Sequence, residues 1–158
     1  RIMDDIHALG VSAIKIEDYD KNGNLIPATE IDPFSFFANF SRGIKEANRI
    51  AILEFLKKWF ELSSPLPSDF HGIPVANKQN AWFFAYSDKR KPNDISSLWD
   101  LAAACVAMAP DKLPPATFDR CLAIHQVGVS KLTMGLFWFN PKEYLALDSF
   151  MVNYLVAK

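Results

Sequence analysis

The stretch from His125 to Ser149, HQVGVSKLTMGLFWFNPKEYLALDS, decides how the chain is built. Gly128 stands between two apolar helical patterns and breaks the first of them. A short helix over 130–138 follows and stops at Asn140-Pro141, because proline cannot continue it. Asp148 or Ser149 then caps a last helix. Working back toward the N-terminus, DKLPPAT restarts a helix that places Phe118, Cys121, Leu122 and His125 on one side. Asp94 caps a helix of about 95–109 with Leu98, Leu101, Ala102, Cys105 and Met108. The clearest helix covers about 44–62, where Ile44, Ala47, Ile50, Ala51, Phe55, Trp59 and Leu62 share one broad face. Asp32-Pro33, a capping acid before a proline, opens an aromatic helix carrying Phe34, Phe36, Phe37 and Phe40.

The first 30 residues read differently. A helix over 2–9 ends at Gly10, VSAIKI (11–16) alternates like a strand, and Asn22-Gly23 forms a hairpin turn between two short strands. Asp18, Asp20, Asn22 and Gly23 also match the start of a calcium-binding EF-hand loop. Thr29 occupies the position of the closing glutamate, and Pro27 and Pro33 leave no room for the exiting helix, so the turn is preferred. AWFFAY (81–86) is a strand or a buried helical turn, and SDKRKPND (87–94) is an exposed loop. The expected fold is mainly α: a single compact helical domain with a small β-hairpin near the N-terminus. Residues 1–30 hold the helix end and hairpin, and 31–158 the helical domain.

Half of the 158 residues are apolar and 13% are aromatic, enough for a sizeable core. No apolar run approaches the roughly 18 residues a membrane helix needs, and no signal peptide is visible, so no membrane partner is expected. The chain opens on Arg1, and is read as a piece of a longer protein. Cys105 and Cys121 sit in helical patterns with no CxxC, which points to buried thiols, no zinc or other metal site and a cytoplasmic setting. No cofactor is expected within the segment. Net charge is −1 but uneven: residues 42–91 carry nine basic and five acidic groups, net +4, while residues 1–41 carry three and seven, net −4. The middle of the chain is therefore the place for a basic face. There is no Ser/His/Asp set and no GxxxxGK[ST] loop, so hydrolase or kinase chemistry has no support.

The Gly128 corner resembles a helix-hairpin-helix, which joins two helices by a Gly-apolar-Gly turn so that backbone can approach a phosphate. Gly128 matches the second glycine and Gln126 replaces the first. Ser130 and Lys131 lie within reach of such a phosphate, Lys131 as a point charge. An ordinary helix-helix corner is the competing reading. DNA glycosylases of that superfamily carry a catalytic Asp one helix later, and Asp148 resembles it. It is a weak catalytic candidate, since a helix cap explains it equally well and Ser130 stands where bifunctional members place a lysine.

A broader resemblance rests on four stretches in order: IDPFSFFANFSRGIKEANR (31–49), PSDFHGIPVANKQNAWFFAY (67–86), DISSLWDL (94–101) and KLTMGLFWFNPKEYLALDS (131–149). Together they are similar to the region ahead of the AAA+ motor in McrB-like modification-dependent restriction proteins. The resemblance implies DNA recognition in a bacterial restriction or defence system, with a GTPase or ATPase motor in the same chain and a nuclease subunit as partners. It also implies DNA, plain or methylated, as ligand. Enzyme activity is not expected in this segment. Read from the residues themselves, the candidate contacts are Gly128, Ser130, Lys131, Lys89, Arg90 and Lys91 on phosphates, with Arg42 and Arg49 in support. Trp82, Phe84, Tyr86 and Trp99 are candidates to stack a base, at roughly 1–3 kcal/mol each, or else belong to the core. The alternatives are a glycosylase-like enzyme and a structural adaptor for the motor or nuclease.

Overall fold

Asp32 sits at the start of the helical body and shows how the sequence builds it. Its Oδ1 accepts from the backbone N–H of Phe34 and Ser35 at 2.8 and 2.9 Å, and Pro33 occupies the first helical position. Helix α2, Pro33–Phe37, begins there and tightens into a 3₁₀ turn at Ala38–Phe40. The computed structural model describes residues 2–13, 17–41, 43–72 and 82–157. Within them α1 spans Ile2–Ala8, α3 Glu46–Trp59, α4 Asp94–Ala107, α5 Pro115–Leu122, α6 Val129–Phe139 and α7 Ser149–Val156. Strands β1, Glu17–Tyr19, and β2, Leu25–Pro27, pair antiparallel with Asp18 opposite Ile26. The architecture is a single mainly α-helical domain with one small hairpin near its N-terminus.

Helix α4 is the centre of the body, packing on α5, α6 and α2. Leu98, Leu101, Ala102 and Cys105 of α4 meet Cys121, Leu132, Leu136 and Phe34 in one buried cluster. Gly135 makes that approach possible. A Cβ there would lie 2.7 Å from Phe34 Cδ1 and 2.8 Å from Phe83 Cζ, closer than carbon atoms tolerate. A second cluster joins Ile6 of α1, Phe40, and Ile52 and Leu56 of α3, with Trp138 against it.

Several boundaries differ from those expected. The hairpin strands begin after the expected strand at 11–16: residues 11–13 are not in a strand, and 14–16 lie outside the described residues. Asp20 Oδ1 accepts from the N–H of Asn22 and Asn24, both at 2.8 Å, while Gly23 takes φ +78°, so Asp20 builds the turn. Helix α3 is shorter than 44–62 because Ile44 N–H closes a turn onto Ser41 O. At the far end Glu61, φ +52°, lets Leu62 N–H reach back to Lys57 O. Asp94 is the first residue of α4 rather than its cap, and Asn93 holds the cap position. His125 lies exposed beyond the end of α5, not on its inner face. Residues 82–86 form neither strand nor helix, yet Phe83, Phe84 and Ala85 are buried. Phe83 N–H donates to Ser35 Oγ at 3.0 Å, and its ring stacks on Phe34 at 4.9 Å.

Candidate functional site

The loop after Ala85 is mounted on the hairpin by a buried carboxylate. Asp18 Oδ1 accepts from Ser87 N–H at 2.7 Å and Tyr19 N–H at 2.8 Å, and Oδ2 pairs with Arg90 Nη2 at 2.8 Å. Ser87 Oγ donates to Tyr19 O at 2.7 Å. Burial works to raise the Asp18 carboxyl. The two backbone donors and Arg90 outweigh it and hold the group below its usual range. Arg90 also donates to Ala85 O and sits over the Phe84 ring. The three consecutive cations thus divide: Arg90 is an internal strut, while Lys89 and Lys91 remain exposed.

Beside them Tyr86 and Tyr19, 43% and 38% exposed, meet edge to face with centroids 4.7 Å apart. Phe84 is buried among Ile95, Trp82 and Met3 and presents no face to a ligand. Trp82 is partly buried against Phe84, with rings 5.3 Å apart. Trp99 exposes half its surface, and its indole N–H is fixed to Ile31 O at 3.0 Å. Of the four candidate stacking residues, Tyr86 and Trp99 therefore have open faces.

At the α5–α6 corner Gln126 adopts φ +68° where a glycine was absent, and Gly128 is the exposed cap residue of α6. Ser130 Oγ donates to Leu147 O at 3.0 Å. Thr133 Oγ1 accepts from Leu147 N–H at 2.9 Å, which pins the 145–148 segment onto the first turns of α6. Lys131 turns inward: its Nζ donates to Trp82 O at 2.7 Å. Desolvation lowers its pKa and the nearby Asp32 charge opposes that. Asp32 itself is fully buried, and its Oδ2 has no hydrogen-bond partner among the described residues. Desolvation raises its carboxyl to about 6, despite the hydrogen bonds from Ser35 and Phe34.

Asp148 caps α7, accepting from Met151 N–H at 2.8 Å. Arg42 lies outside the described residues. Arg49 is 6% exposed on α3 with its guanidinium carbon 4.1 Å above the centre of the Phe70 ring. A cleft of about 240 Å³ between the end of α4 and the 140–144 turn is lined by Cys105, Met108, Asn140, Glu143 and Tyr144 among others. Desolvation raises the Cys105 thiol, the wrong direction for a nucleophile, and pushes Cys121 up to about 12. Among the described residues there is no group of three or more His, Cys, Asp or Glu placed to hold a metal ion. Nor is any helix among them long and apolar enough to cross a membrane.

Asp18, Ser87, Tyr19 and Gly135 were not read from the sequence as site-building residues. Asp18 looked like part of a calcium loop, and its real partners lie 69 and 72 positions away, at Ser87 and Arg90. No curated protein and no solved structure matches the chain. A family model for a domain of unknown function, DUF8425, matches residues 3–158, and the chain belongs to that family.

Proposed function

We propose that this domain recognises DNA, plain or methylated, within an McrB-like restriction or defence protein. The contact surface is the 86–91 loop together with the hairpin. One observation carries the reading: Lys89 and Lys91 are exposed on a loop that the Asp18–Arg90 pair ties to the hairpin, next to two exposed tyrosine rings. Cations interleaved with open aromatic faces suit a backbone contact combined with base stacking. The exposed Gly128–Ser130 backbone at the start of α6 supplies a second phosphate contact. The resemblance of the four spaced stretches to McrB-like proteins supports the restriction setting, with the AAA+ motor in the same chain and a nuclease subunit as companions.

Two free lysines neutralise about two phosphates, so affinity falls with salt at a slope of about −2 in logarithmic terms. Fluorescence anisotropy with duplex DNA, plain and methylated, at low and moderate salt tests this. The Lys89→Ala/Lys91→Ala double variant weakens binding, and Tyr86→Ala weakens it without changing the salt slope. Absence of salt-sensitive binding sinks the reading.

The adaptor reading then takes its place, and α7 favours it. This helix has no buried residue, and Phe150 is 85% exposed, with Val152, Tyr154, Leu155 and Val156 also exposed along it. The motor and the nuclease subunit are the partners to test against it.

A further inference from the structure

We propose that Arg49, backed by Phe70, is a binding site for a phosphate group at the start of α3. Arg49 is 6% exposed, and its Nε and Nη1 are buried with no hydrogen-bond acceptor among the described residues. A guanidinium keeps its charge at any pH at which the protein is folded. Buried guanidinium groups are therefore normally hydrogen-bonded, and unsatisfied N–H groups on one point to an acceptor supplied from outside. The two acids nearest to it in sequence or beside Phe70 do not serve. Glu46, one turn earlier, and Asp69, next to Phe70, are both exposed, and the Asp69 carboxylate accepts from His71 N–H and Ser68 Oγ.

The setting favours phosphate over a singly charged carboxylate. Arg49 is the fourth residue of α3, and helical side chains lean toward the N-terminal turn. That turn carries the positive end of a 14-residue helix with no side-chain cap at Lys45. Residues 42–91, which contain the whole site, carry a net charge of +4. The Phe70 ring, 4.1 Å below the guanidinium carbon, fixes the plane of the fork. The phosphate belongs to a free anion, a mononucleotide or a nucleic-acid backbone, all of which present the same oxygens. The site does not depend on the 86–91 surface.

The test is the side-chain Nε–H resonance of Arg49 in the intact 158-residue chain, assigned by its loss in Arg49→Lys. Sodium phosphate is titrated at constant ionic strength, with chloride and acetate as controls. The resonance moves saturably with phosphate and little with acetate. Phe70→Leu, which retains the guanidinium, weakens the phosphate response by roughly threefold. Lys89→Ala/Lys91→Ala leaves it unchanged, which separates this site from the DNA-binding loop. If duplex DNA also moves the signal and competes with phosphate, the source is a nucleic-acid backbone. If only phosphate and mononucleotides move it, the source is a small anion. A resonance that ignores phosphate, or that follows acetate equally, overturns the proposal.

Discussion

Helices α2 and α7 open in the same way: Asp32 accepts from Phe34 and Ser35, and Asp148 accepts from Met151. Their surroundings differ completely. Asp32 is fully buried, one of its oxygens has no partner among the described residues, and its helix feeds Phe34 into the central cluster. Asp148 is half-buried and leads into a helix with no buried residue. The same local signal therefore sets where a helix begins in both places. What that start contributes to the folded state depends on the packing around it, through desolvation of the carboxylate and burial of the following side chains.

The largest expected effect lies in the pH dependence of stability. The folded chain holds the Asp32 proton up to about pH 6, whereas the unfolded chain releases it near 3.8. The folded state thus binds more protons between those values. The Asp32 contribution to stability is present below about pH 4 and is lost as pH rises through about 6, on the order of 2–3 kcal/mol. Asp18, with its lowered pKa, acts oppositely: its contribution is present above the usual carboxylate range and lost as pH falls below it. Asp32→Asn keeps a capping side chain and cannot titrate. Urea unfolding of both proteins across pH 4–7 isolates Asp32, since Asp18 is common to them. Identical pH profiles would refute the assignment.

The next effect comes from Gly135→Ala. A methyl group placed 2.7–2.8 Å from the Phe34 and Phe83 rings forces them apart. The overpacking outweighs the roughly 1 kcal/mol that alanine gains in helix propensity, for a net loss of about 2 kcal/mol. Denaturant midpoints check it, and an unchanged midpoint would show that the two rings yield freely.

The smallest effects lie at α7. Asp148→Ala costs about 1 kcal/mol of local helix stability and is visible as faster amide exchange over 149–156. Phe150→Ala changes global stability by less than about 0.5 kcal/mol. If Phe150→Ala instead destabilises the chain as Gly135→Ala does, the contrast between the two helices collapses.

Much of the helical order was legible. Asp32-Pro33, Gly10, Asn140-Pro141 and Asp148 mark boundaries through caps and breakers that act over three or four residues. The candidate site was far less legible. Within Lys-Arg-Lys at 89–91 nothing local separates the half-buried middle residue from its exposed neighbours, because the distinction depends on Asp18 arriving from the hairpin. Lys131 likewise resembles a surface cation until the 82–86 segment presents the Trp82 carbonyl. Phe84 and Tyr86 alternate in one short run, yet the first is core and the second open.

Local signals suffice for a mainly helical chain, the start of α2, the hairpin turn and the last helix, since each depends on backbone groups a few residues away. Tertiary structure alone decided which charges turn inward and which aromatics remain exposed. It also decided why Gly135 admits two phenyl rings and why Arg49 is left buried without an acceptor among the described residues. Those outcomes depend on desolvation and close packing between segments tens of residues apart, and no local pattern encodes which segments will meet.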